Sequence, residues 1–158
     1  STNMINGEYT LTASPDPDVP RNILVTATAG GTADTMGTIT VHGTDIADRP
    51  ISEVIVPATT GAVAGKLAFK TVEKVVGAGW AKDETEATND TIKIGYGNKI
   101  GLPIQINATS DVLFGILGSA IAAASGGLST PGSLAGSTAD MSASTYDGTK
   151  KMYVFVLC

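Results

Sequence analysis

Cysteine and histidine occur once each in the 158 residues, as Cys158 and His42. An intrachain disulfide framework and any cysteine-based zinc cluster are thereby excluded. A serine or cysteine nucleophile would have a single histidine to serve as its base. Charge is also sparse: Asp, Glu, Lys and Arg make up 16% of the chain, against about 25% in typical soluble domains. The balance leans acidic, with 10 Lys+Arg against 15 Asp+Glu and a net charge of −5. That field repels phosphate and anionic lipid, so neither nucleic acid nor a membrane surface is expected as a partner. The longest apolar run, 112–124, is interrupted by Gly115, Gly118 and Ser119 and falls short of the roughly 17–25 residues of a spanning helix. The first residues, Ser1-Thr2-Asn3-Met4-Ile5-Asn6, have neither the basic start nor the apolar stretch of a signal peptide, so cytoplasmic synthesis is expected.

What is abundant is turn and strand chemistry: 19 Gly, 21 Thr, and hydrophobic residues at 42%. Short β-type runs at 22–29, 37–43, 51–57, 66–76, 91–97 and 100–106 are separated by Gly, Pro, Asn and Asp. In two of them the alternation is clean, with Ile92, Ile94 and Tyr96 on one face and Ile100, Leu102, Ile104 and Ile106 on another. Pro103 cannot donate to a ladder, which places its strand at an edge or a bulge. Residues 112–124 read as a hairpin turning at Gly118-Ser119, because Gly115 and Gly118 disfavour a helix interior. The stretch 125–149, rich in Gly, Ser and Thr, reads as a long surface excursion. After it Met152-Tyr-Val-Phe-Val-Leu157 forms a final strand buried in a sheet, with Phe155 and Val154 or Val156 in the core. The expected fold is all-β, a β-sandwich or β-barrel. It comprises an extended N-terminal arm over 1–20, where Pro15, Pro17 and Pro20 favour extended geometry, and a single β domain over 21–158.

No constellation with catalytic spacing emerges. His42, flanked by Val41 and Gly43, falls on the outward face of its strand. Cys158 has no basic neighbour nearer than Lys151 to lower its pKa. Gly61-Ala-Val-Ala-Gly-Lys66-Leu67 fails as a phosphate loop: Thr60 stands where the first glycine is required, and Leu67 where the magnesium-binding hydroxyl is required. It reads instead as a loop leading into a strand. Asp83, Glu84, Glu86, Asn89 and Asp90 lack the spacing and turning glycine of a calcium loop and read as a solvated acidic segment. Trp80 is either a plug at the end of the core or an exposed anchor at an interface. No catalytic residue, cofactor or metal ligand is therefore expected. The candidate interface residues are those of the arm: Tyr9, Leu11, Pro15, Pro17 and Pro20.

Five segments carry a family resemblance: Arg21-Asn-Ile-Leu-Val-Thr-Ala-Thr-Ala29, Gly31-Thr-Ala-Asp-Thr-Met-Gly-Thr-Ile-Thr-Val-His-Gly-Thr44, Phe69-Lys-Thr-Val72, Gly77-Ala-Gly-Trp80 and Asn89-Asp-Thr-Ile-Lys-Ile-Gly-Tyr-Gly97. Over 20–117 the chain resembles small virion proteins of tailed bacteriophages, in particular capsid decoration or cement proteins. The resemblance implies a non-enzymatic all-β protein, made in the host cytoplasm and mounted on the outer capsid surface of the virion. Its partners would be the major capsid protein and further copies of itself, with a homo-oligomeric trimer favoured. A tail or fibre structural module, and a β-sandwich adhesion or carbohydrate-binding module, are the alternatives. Net acidity suits the outside of a shell better than its DNA-facing inside.

Overall fold

Period-two burial along the β-branched runs builds two facing sheets. The computed structural model describes residues 1–11, 16–30, 34–82, 90–117, 120–122, 125–128, 133–140 and 152–156. Its strands are β1 (Thr2–Asn3), β2 (Gly7–Glu8), β3 (Arg21–Thr28), β4 (Thr38–Thr44), β5 (Pro50–Ile55), β6 (Thr60–Phe69), β7 (Thr71–Ala78) and β8 (Thr91–Gly101). There follow a 3-10 turn at Thr109–Asp111 and then β9 (Val112–Leu117), β10 (Ala120–Ala122), β11 (Ser125–Leu128), β12 (Ser137–Asp140) and β13 (Met152–Val156). The first sheet runs β11-β12-β8-β3-β6, with β1 also on β8; the second runs β2-β7-β4-β5; a small third sheet runs β10-β9-β13. All pairings are antiparallel. The fold is all-β, as expected.

The first two sheets share one core. Ile23, Val25, Ala27, Phe69 and Ile92 come from the first, Ile39, Val41, Ile55, Val72 and Val75 from the second. Ile94, Tyr96 and Trp80 pack against that cluster half-buried. A second, smaller core gathers Leu102, Ile106, Val112 and Ala139, with Ile104, Val154 and Val156 against it. Buried Ser137 joins the two regions: its carbonyl accepts from Leu102 N at 2.9 Å and its hydroxyl from Ile106 N at 3.1 Å.

Two neighbouring ladders are irregular at the same point, and Asn22 repairs both. Against β3, β6 inserts extra residues between Ala64 and Ala68, and β8 between Tyr96 and Ile100. The fully buried Asn22 amide donates to Gly65 O at 3.0 Å on one side and accepts from Lys99 N at 2.9 Å on the other. Gly97 is required there, since a Cβ would overlap the Asn22 side chain. A buried amide with both ends satisfied replaces the lost ladder bonds.

Several expectations are corrected. Residues 1–11 are not an arm apart from the domain. β1 extends the first sheet and β2 the second, Met4 and Tyr9 are buried, and Gly77 lets the Ile5 carbonyl pass where a Cβ would collide. Enough apolar surface lies in Met4 and Tyr9 to hold the segment without a neighbour. The run 66–76 is two strands: the chain leaves the first sheet at Phe69 and enters the second at Thr71, so alternation continues while the sheet changes. Gly61–Lys66 belongs to β6 rather than to a loop. The strand expected over 100–106 ends at Gly101, and Pro103 stands exposed in a bend. Within 125–149, β12 is among the most buried strands, with Ser137, Thr138 and Ala139 almost inaccessible. Small side chains allow that close packing, and composition alone does not distinguish it from a loop. The final strand is an edge strand, and Phe155 is 44% exposed rather than core. The hairpin of 112–124 is present as β9 and β10, paired Ile116 to Ile121, its turn lying outside the described residues.

Candidate functional site

Where the sequence offers no catalytic spacing, exposed large apolar side chains are the informative feature. On the small third sheet, Tyr153 (52% exposed), Phe155 (44%) and Leu113 (50%) are carried by the paired strands β13 and β9. Alternation explains the pair on β13: Val154 and Val156 turn into the second core, which sends Tyr153 and Phe155 to the opposite face. On β9, Val112 is buried, and the register shifts opposite Phe155 and Val156, leaving Leu113 outside the ladder count and exposed. The result is a small sheet with one face on the domain and an apolar opposite face.

The residues expected to form an interface lie elsewhere and are differently employed. Tyr9 is buried in the main core, its hydroxyl within hydrogen-bond distance of both Ile5 N and Ile5 O. Leu11 packs against the same core, Pro17 and Pro20 are half-buried, and Pro15 lies outside the described residues. The structure does not bring them together as an exposed surface. Tyr9 and Leu11 instead line an open cleft of about 690 Å³ between the sheets, with Ile23, Val72, Ile94 and Tyr96. Burial, then the neighbouring Asp16 carboxylate, pushes the Tyr96 phenol above its ordinary 10.0, so it is neutral there.

Trp80 is the core plug of the two readings offered by the sequence. It packs against the main cluster, and its indole N–H donates to buried Asp90 at 2.7 Å. The other Asp90 oxygen accepts Gly30 N at 2.7 Å. Asn6 pairs with the Trp80 backbone in both directions, donating to its carbonyl at 2.8 Å and accepting from its N–H at 2.9 Å. Asp90 is thus structural, while Asp83, Glu84, Glu86, Asn89 and Cys158 lie outside the described residues. Among the described residues no group of three or more His, Cys, Asp or Glu is placed to hold a metal ion. No described helix is long and apolar enough to cross a membrane. His42 sits half-buried on the outer face of β4, between Ser52 and Lys74 in the ladders.

One loop is electrostatically organised. Asp45 closes the β4–β5 turn, accepting Ala47 N at 2.8 Å and Arg49 N at 3.1 Å on one oxygen and Arg49 Nε at 2.9 Å on the other. Burial pushes its carboxyl up, but these donors and the Arg49 charge outweigh it and hold the group below the ordinary 3.8.

No family model, curated protein or solved structure matches this chain.

Proposed function

We propose that this protein is a non-enzymatic structural component of a bacteriophage virion, a decoration or cement protein that binds the major capsid protein on the outside of the head and stabilises it. The observation that carries the reading is the apolar face of the small sheet, Leu113, Tyr153 and Phe155, presented by an all-β domain. Aromatic side chains on a strand are well suited to anchoring an interface, because they bring large area at little entropic cost. The phage-like segments over 20–117 and the acidic balance add support. The test is to mix the purified protein with undecorated expanded capsids and image the occupied positions, in parallel with Phe155→Ser. Ordered occupancy lost in the variant supports the reading; absence of binding to the shell by the unmodified protein overturns it.

A second reading rests on the same pair of aromatics. Tyr153 and Phe155, two residues apart on one strand face, also offer the flat stacking surface of a carbohydrate-binding sandwich module. Retention on a glycan array, abolished by Tyr153→Ser, would favour that reading over the capsid.

A further inference from the structure

We infer that the outer edge of β5 pairs, antiparallel and across a two-fold axis, with β5 of a second copy of this chain. β5 ends the second sheet, and among the described residues no strand lies on its other side. Which backbone groups face outward follows from the ladder. Asp45 N donates to Arg49 O at 2.9 Å, and the β4–β5 register continues from there without a shift. Alternation then makes Gly43/Ile51, Val41/Glu53 and Ile39/Ile55 the hydrogen-bonded pairs, so Ser52 and Val54 direct their N–H and C=O groups away from β4. Pro50, with no N–H to offer, falls in the same outward set, as edge prolines do.

Edge strands are ordinarily guarded by proline, charge, bulges or a cover, and two other edges of the sandwich are. β6 is irregular at 65–67, and the Glu53 carboxylate accepts Lys66 N at 2.6 Å and Leu67 N at 3.2 Å. The β2–β7 edge carries the Glu8–Lys74 ion pair. On β5 the guard stops at Pro50: beyond it Ser52 is exposed, Val54 and Val56 are 61% and 62% exposed, and the adjoining outer face of β4 adds Thr38 and Thr40.

Charge selects the occupant. Two copies of a chain with net charge −5 meet edge to edge most easily where carboxylates are held back, and the one carboxylate of β5, that of Glu53, is turned onto Lys66 N and Leu67 N. A two-fold axis is the only operator by which one strand satisfies itself antiparallel. Centred on Val54, it bonds Val54 to Val54 of the second copy in both directions and sets each Ser52 against Val56. Centred on Glu53 it would face carboxylate with carboxylate. Five residues of contact span about 17 Å, well under a standard interface of about 800 Å² per partner, so the pairing is weak in dilute solution and dimeric rather than trimeric.

The experiment is sedimentation equilibrium of the whole chain up to about 1 mM, with Ser52→Pro, Val54→Lys and the β6-edge control Ala62→Lys. Ser52→Pro removes an outward donor while sparing the β4 bonds; should it fail to fold by circular dichroism, the solvent-facing Val54→Lys carries the test. Expected is a mass rising with concentration toward twice 16.0 kDa, a dissociation constant weakened at least about tenfold by either β5 substitution, and no effect of Ala62→Lys. A monomer at the highest concentration, or a dimer or trimer indifferent to both β5 changes, overturns the inference. The result is independent of capsid binding, so either reading can fail alone.

Discussion

In the sandwich, inward side chains arrive from two sheets, so Val25, Val41, Phe69 and Val75 are wholly enclosed. In the small third sheet, among the described residues, they arrive from one face only: Val154 and Val156 remain half-buried, and Tyr153 and Phe155 are 52% and 44% exposed. The strand chemistry is alike in the two regions; the number of covering layers differs. A second layer converts alternation into stability, and its absence converts the same alternation into an available surface.

The sharpest way to break this comparison is at Phe69, which the sandwich encloses completely. Phe69→Ala is expected to cost about 3–5 kcal/mol, read as a fall in the denaturation midpoint of the whole domain. Next comes the Asn22 clamp: Asn22→Ala strands Gly65 O and Lys99 N and is expected to cost about 2–3 kcal/mol, with faster amide exchange at Lys99 as its local signature. In the second core, Val112→Ala should cost about 1–2 kcal/mol, and hydrogen exchange should show β9 and β13 opening before β3 and β8. Equal exchange in all four strands would erase the distinction between the two regions.

The turn at Asp45 gives a smaller effect with a defined sign. Its carboxyl has a lower pKa folded than unfolded, so the folded state binds fewer protons there. The stabilisation is fully present above the unfolded value near 3.8 and is lost as pH falls through the folded value. Asp45→Asn should therefore flatten the acid limb of stability below about pH 4, measured by chemical denaturation across that range. Smallest in stability is Phe155→Ala, expected to cost about 0.5–1 kcal/mol because nearly half of the side chain is already exposed, while the proposed attachment to a capsid weakens. A Phe155→Ala protein destabilised by several kcal/mol would show the third sheet to be covered like the sandwich.

The β-type runs 22–29, 37–43 and 91–97 determined an all-β chain, since alternation and residue inventory are local properties. The hairpin of β9 and β10 was legible for the same reason, in two glycines. The candidate site was not. Whether Tyr153 and Phe155 or Val154 and Val156 face the core depends on which layer covers β13, and both registers alternate equally well. Residues 1–20 read as an arm because Pro15, Pro17 and Pro20 favour extended geometry and little core-forming pattern stands beside them. That Met4 and Tyr9 lie under both sheets depends on Gly77 leaving room for Ile5, a contact across some 70 residues of chain. β12 hid among Ser, Thr and Ala, whose small volumes suit a loop and a tightly packed strand alike. Tertiary structure alone decided these cases, because burial is set by what lies opposite, and no local pattern encodes that.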